Sequence, residues 1–163
     1  MIQKSQLFLY LSLCLFIFSL TIYAIKTIDI ATDLHCSTQI TRFGNKNTPM
    51  YFTGRYTLDI NKDGSGYFHA DGFIKPESDN IRTNRYIFFD YKVKQSGKVK
   101  EYLLEKIRTV KGVADNATEN EFRRVIPAVK QGTEKMMLFI KPLSQDAHVI
   151  SSINEPLFIC AKT

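Results

Sequence analysis

A stretch of 19 residues without a charged side chain, residues 7–25, lies near the start of the sequence and is followed at once by Lys26. As a helix with a rise of about 1.5 Å per residue, it would cover roughly 28 Å, close to the hydrocarbon thickness of a bilayer. We therefore expect a single transmembrane helix over residues 7–25, a short cytoplasmic tail over residues 1–6 and one exported domain over residues 26–163.

A cleaved signal peptide is the competing interpretation of this stretch. Its apolar core is longer than the roughly 7–15 residues of a typical signal peptide, and a cleavage site after Ala24 would put the bulky Ile22 where a small residue is required. The sequence therefore favours an uncleaved anchor. Lys4, ahead of the anchor, favours a cytoplasmic N-terminus.

The three cysteines divide between these two parts of the chain. Cys14 lies inside the predicted span, whereas Cys36 and Cys160 both lie in the exported part. Paired cysteines are typical of an oxidising compartment, so we expect a Cys36–Cys160 disulfide. By loop-closure entropy such a bridge would stabilise the domain by roughly 5 kcal/mol. The alternative is a pair of free cysteines buried in the core.

The charge balance narrows the choice of partners. The whole chain has a net charge of +6, and the part from residue 26 onwards has 21 basic and 16 acidic residues. A basic surplus is typical of nucleic-acid-binding proteins, but an exported domain does not meet nucleic acid. Anionic lipid headgroups or an acidic face of another protein are the alternatives, and a solvated surface is the simplest interpretation.

Short alternations of apolar and polar residues, separated by turn residues, run through the exported part. This period of two predicts an antiparallel sheet, and Tyr56, Leu58 and Ile60 show it most clearly by sharing one face. We expect a loop at residues 76–84, a two-residue turn at Ser96-Gly97, and strands at residues 38–43, 56–60, 67–74, 87–93, 99–110, 136–140 and 157–161. Seven or eight strands are about what a small closed barrel contains.

One short helix has a start signal in the sequence. Thr118 and Glu121 have the spacing of a capping box, and Phe122 follows on the apolar face. The predicted fold class is therefore mainly β (α+β): a transmembrane helix followed by an antiparallel β-barrel or strongly curved sheet with one short helix.

The residues from Asp59 to Gly64 match the first half of a calcium-binding loop, in which alternating oxygen ligands surround the cation. The twelfth position of such a loop is Ala70 instead of a bidentate glutamate. The sequence therefore favours a plain hairpin turn, and we predict no metal site.

Three histidines, His35, His69 and His148, are candidate pH-sensing residues. Their ordinary pKa near 6.5 lets them change charge between pH 5 and 8, and an exported domain meets external acid directly. The alternative is that all three are surface or hydrogen-bonded histidines without a sensing role. Their wide spacing does not match a metal-ligand pattern.

Enzymatic function has little support in the sequence. There is no G-x-S-x-G motif, Walker loop or dinucleotide fingerprint, so we predict no catalytic residues and no cofactor. A cysteine nucleophile would need a free thiol, which a disulfide removes. The twelve Phe and eight Tyr could line a barrel that holds a small apolar ligand, pack against a partner chain, or simply fill the core.

The layout of the chain resembles a known group of proteins. It combines one span, a cysteine just after it, a hairpin from Leu58 to Gly72 reading LDINKDGSGYFHADG, and a closing cysteine. This resembles the FidL-like proteins and, more closely in length and cysteine placement, the PsaF/MyfF accessory regulators of fimbrial operons. The layout is also similar to that of ToxS and VtrC, partners of membrane-spanning winged-helix transcription factors.

The resemblance implies a lipocalin-like periplasmic barrel anchored in the bacterial inner membrane. Such a barrel would form a heterodimer with the periplasmic part of a ToxR-like regulator of fimbrial or virulence genes and protect it from proteolysis. It would also make the regulator's output depend on an envelope signal, which is acidity for the PsaF/MyfF group. Cys36 and Cys160 match the paired cysteines of these proteins. The rival functions are a stand-alone module for a small apolar ligand and a hydrolase or thiol oxidoreductase with a free cysteine.

Overall fold

The computed structural model describes residues 10–21, 33–43, 51–75, 80–125, 135–153 and 155–163. The chain divides into two compact units, Met1–Ala31 and Thr32–Thr163. The first unit contains helix α1, residues 10–21. Among the described residues, no helix combines the length and the apolar character needed to cross a membrane. The predicted span also includes residues 7–9 and 22–25, which lie outside the described residues.

The described part of the second unit is a closed barrel of eight strands with one short helix. Each strand pairs antiparallel with the next, and the last pairs with the first, which confirms the predicted mainly β fold. The elements are β1 Leu34–Phe43, β2 Tyr51–Ile60, β3 Ser65–Lys75, β4 Ile81–Ser96, β5 Val99–Lys111, α2 Glu119–Val125, β6 Lys135–Pro142, β7 Ala147–Ser151 and β8 Pro156–Lys162.

Several boundaries differ from the sequence-based prediction. Strand β4 begins inside the predicted loop at residues 76–84, and the turn after it is formed by Gly97 and Lys98 instead of Ser96 and Gly97. Gly97 has a φ of 62°, a left-handed conformation that glycine adopts without steric cost. Strand β7 is absent from the prediction altogether, since it has only five residues.

Large side chains fill the interior of the barrel. The inward-facing Leu58, Ile60 and Tyr102 belong to one buried cluster, and Phe52 and Phe122 belong to a second. The alternation predicted for Tyr56, Leu58 and Ile60 is confirmed, because all three are buried. The barrel therefore has a packed core along its strands.

The seam between β1 and β8 is short. Only two residue pairs join these strands, Cys36 with Lys162 and Ser37 with Ala161, whereas β1 pairs with β2 along its whole length. A disulfide joins Cys36 to Cys160 beside the seam, with 5.5 Å between the two Cα atoms. Both cysteines are fully buried. The seam therefore combines very few backbone pairs with one covalent link.

A buried arginine joins helix α2 and the loop before it to the barrel. Arg85 of β4 is fully buried, and its Nε lies 3.0 Å from Oδ2 of Asp115, whose side chain is also fully buried. Its Nη1 donates to Glu119 at 2.6 Å, and its Nη2 donates to the carbonyl oxygen of Ala117 at 2.6 Å. The guanidinium also lies over the Phe122 ring, 4.3 Å from the ring centroid. Each of the three guanidinium nitrogens thus has a partner in helix α2 or in the loop before it.

The predicted capping box starts helix α2. The Thr118 hydroxyl accepts a hydrogen bond from the Glu121 backbone N–H at 3.3 Å, and the Glu121 carboxylate accepts one from the Thr118 N–H at 2.7 Å. These reciprocal bonds satisfy backbone donors that the first turn of a helix leaves unpaired.

Candidate functional site

The three predicted histidines lie in three different environments. His35 is half-exposed on β1, with its Nδ1 2.5 Å from Oδ2 of Asp59. His69 faces outward on β3, where its ring stacks on Tyr86 at a centroid distance of 4.0 Å. His148 lies on β7 in the same inward-facing phase as the buried Ile150. The structure therefore does not bring the three together into one cluster.

His148 belongs to a basic barrel mouth, which we define as the inward-facing Lys100, His148 and Lys162 at one end of the barrel. Lys100 precedes the buried Tyr102 by two residues, and Lys162 follows the buried Cys160 by two. These three residues line a cleft of about 430 Å³. The inward-facing side chains of β5, β7 and β8 are thus apolar inside the barrel and basic at this end.

The His148 ring is held neutral by its surroundings. Its Nδ1 is buried and has no hydrogen-bond partner within the described part of the chain. Burial lowers the pKa of His148 below its ordinary value, and the positive charges of Lys162 and Lys100 lower it further. The lowered pKa favours the neutral form, and protonation of this ring would place a third positive charge in the mouth.

Replacing His148 by glutamine is expected to reduce the pH dependence of the domain's stability. Well above pH 6.5 the ring is neutral in both the folded and the unfolded states and contributes no pH dependence. As the pH falls below 6.5, the unfolded chain takes up the proton first, so stability is lost progressively towards the lower folded-state pKa. Urea unfolding at pH 7.5 and 5.5 should show a smaller difference for H148Q than for the wild type. Equal differences would contradict this assignment.

A second candidate site lies on the outside of the barrel. We define the aromatic face as Tyr67 and His69 of β3 together with Tyr86 and Phe88 of β4. Tyr67 is the cross-strand neighbour of Phe88, and His69 is that of Tyr86. The ring centroids of Tyr86 and Phe88 are 6.0 Å apart, and Tyr67 lies about as far from each of them. These rings face away from the core, because Ile87 and Phe89 of the same strand are buried.

A β-bulge shapes one border of the aromatic face. The register of β4 and β5 shifts between Phe88 and Asp90, and Lys106 of β5 has a positive φ of 52° there. Lys106 forms an ion pair with Asp90 at 2.7 Å, and the Arg108 guanidinium lies 5.3 Å from the centroid of the Phe88 ring. These residues line a surface cleft of about 470 Å³ together with Tyr67. Bulges with unusual backbone conformations are frequent at functional sites.

Sequence reasoning identified the histidines and the concentration of aromatic residues in strands such as Tyr86 to Tyr91, with packing against a partner chain as one explanation. It missed the lysines of the mouth and the grouping of these rings with Tyr67 and His69 into one face. Lys100 and Lys162 are two residues from Tyr102 and Cys160, so a strict period-two count would have placed them on the inner face. Phe88 and Tyr86 alternate with Ile87 and Phe89, which reveals that both faces of β4 are apolar here. That pattern indicates a strand whose outer face is not simply solvated.

Comparison with known proteins gives one match. A family described as FidL-like putative membrane protein matches residues 72–160, which is more than half of the chain. The matched region runs from the end of β3 to Cys160 of β8, so it includes Tyr86, Phe88 and His148. No curated protein matches the chain, and no solved structure does.

Proposed function

The chain belongs to the FidL-like family of membrane proteins, and from this premise we propose that it is an accessory protein that binds and stabilises a ToxR-like transcription activator. In this proposal residues 7–25 span the bacterial inner membrane, residues 1–6 are cytoplasmic, and the barrel lies in the periplasm. The barrel forms a heterodimer with the periplasmic part of the activator, which controls fimbrial or virulence genes. The chain itself contacts no nucleic acid and catalyses no reaction.

The aromatic face is the observation that supports partner binding most directly. The core of the barrel is already filled, so Tyr67, Tyr86 and Phe88 are not needed to complete it. Aromatic side chains and arginine are enriched at protein interfaces because they contribute a large contact area with few rotatable bonds. The aromatic face, with Arg108 stacked at its edge, has this composition.

The charges around the aromatic face favour a partner segment that carries carboxylates. Arg82 lies over the Phe73 ring at 5.1 Å and forms an ion pair with Asp71, and Lys106 pairs with Asp90. Arg108, by contrast, has no ion pair with a carboxylate in the part of the chain that the structure describes. An apolar strand or loop with an acidic residue would fit this combination of rings and guanidinium.

Replacing Tyr86 by alanine is expected to weaken the complex by roughly thirtyfold, because Tyr86 contacts the other three residues of the aromatic face. The experiment co-expresses the full chain with the activator and measures the activator's abundance and reporter output. Wild-type chain should raise both, and Y86A should raise them much less. Ile159→Ala is the matched control, since Ile159 is a 54% exposed apolar residue on β8.

Two outcomes would contradict the proposal. If the activator is equally abundant and active with and without this chain, the chain has no stabilising role. If Y86A and I159A behave alike while both variants unfold at the wild-type urea concentration, the aromatic face is not the binding surface.

Acid is the signal that the proposal assigns to the complex, with His35, His69 and His148 as candidate sensors. A charge on His148 adds to the two lysines of the barrel mouth, and a charge on His69 places a cation against the Tyr86 ring within the aromatic face. A charge on His35 faces the Asp59 carboxylate and is compensated there. We therefore expect His148→Gln or His69→Gln to shift the pH midpoint of reporter output more than His35→Gln does.

The alternative function is a stand-alone periplasmic module for a small apolar ligand. The filled core weakens it, since the inward-facing Leu58, Ile60 and Tyr102 occupy the volume where an apolar ligand would sit. Saturable binding of such a ligand by the purified chain without any partner would favour this alternative. A thiol oxidoreductase is weakened by the disulfide, because the exported Cys36 and Cys160 are bonded to each other.

A further inference from the structure

We infer that the basic barrel mouth binds a compact oxyanion, such as a phosphate or sulfate group, and that this binding is coupled to protonation of His148. The inference goes beyond the proposed function and does not depend on it. It concerns the concave, charged end of the barrel, whereas partner binding is assigned to the aromatic face on the outside. It rests on the convergence of basic side chains, the shortage of carboxylates there and the shape of the floor.

The basic side chains come from separate elements that meet at one end. Lys100 lies at the start of β5, Lys162 at the end of β8 and His148 near the start of β7, and Lys98 of the β4–β5 turn also lines the cleft. Lys100 and Lys162 are near enough to His148 for their charges to lower its pKa. Like charges gathered in a concave site repel one another, and an anion placed among them relieves that repulsion.

Among the residues that the structure describes, few carboxylates lie near the mouth. Asp33, ahead of β1, lines the cleft, but its carboxylate accepts a hydrogen bond from the Lys62 backbone N–H at 2.9 Å and lies 3.2 Å from the Lys62 Nζ. Asp146 lies in the loop before β7, where its backbone carbonyl accepts a hydrogen bond from the Lys162 N–H at 2.8 Å. The Asp33 carboxylate therefore interacts with Lys62, which is not one of the three basic residues of the mouth. Tyr102, which also lines the cleft, is neutral because burial raises its pKa to about 12.

The floor of the cleft selects a compact ligand. Four apolar residues line the cleft. Leu34, Tyr102 and Ile140 have exposed fractions of only 6%, 1% and 3%, and Pro142 is exposed. The three buried side chains therefore offer little apolar surface to a fatty chain or a steroid, whose affinity depends on burying such area. Charged hydrogen bonds from lysine and histidine suit a tetrahedral oxyanion, which needs little apolar contact.

His148 provides the coupling to pH. Its buried Nδ1 lacks a hydrogen-bond partner among the described residues, and a protonated ring has donors on both nitrogens. An oxyanion in the cleft would compensate the charge of the protonated ring. Anion binding and protonation therefore favour each other, so affinity rises as the pH falls and the pKa of His148 rises when the anion binds.

The test uses the full chain in nanodiscs and sulfate as the probe, because sulfate keeps its charge between pH 5 and 8 whereas phosphate does not. Calorimetric titration should show saturable sulfate binding that is roughly tenfold tighter at pH 5.5 than at pH 7.5. Chloride at equal ionic strength should give no such binding. The His148 ring resonances should titrate at a higher pH with sulfate than with chloride.

Variants distinguish sulfate binding at the mouth from a general effect of the chain's positive charge. Lys100→Met combined with Lys162→Met should abolish sulfate binding, and His148→Asn should leave weak binding that no longer depends on pH. Lys141→Met is the matched control, since Lys141 is exposed on the outward-facing row of β6 at the same end of the barrel. A urea midpoint equal to that of the wild type shows that each variant is folded.

The source of the oxyanion is distinguished by the lipid. A higher titration pH of His148 in phosphatidylglycerol nanodiscs, compared with phosphatidylcholine nanodiscs and without sulfate, would identify a net anionic lipid headgroup as the source, since both lipids contain a phosphate and only phosphatidylglycerol has a net negative charge. An effect of dissolved sulfate alone would identify a soluble oxyanion. Sulfate that acts no better than chloride, an affinity that is equal at both pH values, or equal losses in K141M and the double variant would each overturn the inference.

Discussion

Removing the Cys36–Cys160 disulfide is expected to lower the free energy of unfolding of the barrel by roughly 5 kcal/mol. The two cysteines are 124 residues apart in sequence, so the bridge restricts almost the whole unfolded domain. Domains of this size have a total stability of about 5–15 kcal/mol. The loss therefore removes a third or more of the stability. Without the disulfide, only two residue pairs hold β1 and β8 together.

Guanidinium unfolding of the full chain, followed by tyrosine fluorescence, measures this loss. The variant is Cys36→Ala with Cys160→Ala, since both side chains are buried and alanine leaves no polar atom there. Cys14→Ala is the control, because Cys14 is a free cysteine in the separate first unit. A double variant that unfolds within about 1 kcal/mol of C14A would show that the bridge contributes little.

Replacing Arg85 by methionine is expected to cost about 3–5 kcal/mol, because it removes the nearer cation of the buried Asp115 carboxylate and leaves only Lys111, whose Nζ lies 3.9 Å from Oδ1. The Asp115 side chain is fully buried and accepts hydrogen bonds from the Thr83 hydroxyl and the Asn84 N–H in addition to Arg85. The Ala117 carbonyl oxygen also loses a donor at 2.6 Å. Urea unfolding of R85M against the wild type measures the cost.

A second substitution distinguishes an uncompensated charge from a simple loss of packing. Asp115→Asn in the R85M background removes the negative charge while keeping an oxygen acceptor, so R85M/D115N should recover a large part of the lost stability. Hydrogen exchange in helix α2 should be faster in R85M, since Arg85 bonds to Glu119 at the start of that helix. A double variant that is no more stable than R85M would contradict the electrostatic explanation.

The parts of the fold that could be predicted are those in which one face of a strand is regularly apolar. Tyr56, Leu58 and Ile60 define β2 by alternation alone, and the capping box of Thr118 and Glu121 defines the start of α2. Strand β7 was missed because its inward-facing row holds His148 beside Ile150, so no run of alternating apolar residues appears in five positions.

The candidate sites were less predictable than the fold, because they depend on which strands become neighbours. Arg85 lies two residues before Ile87 on the inward-facing row, so its burial leaves a trace in the sequence. Its partner Asp115 lies 30 residues further on, and nothing local indicates that the chain returns to it. The grouping of Lys100, His148 and Lys162 likewise exists only after the barrel closes.

The position of the seam has a consequence for how the protein is made. The barrel closes only when β1 pairs with β8. The partner of Ser37 across this seam is Ala161, which is synthesised 124 residues later. At translation rates of about 5–20 residues per second, that delay lasts roughly 6–25 seconds. Throughout that time the nascent barrel has an open β1 edge that can pair with other chains. A holding chaperone that covers this edge during synthesis should therefore raise the yield of correctly oxidised protein.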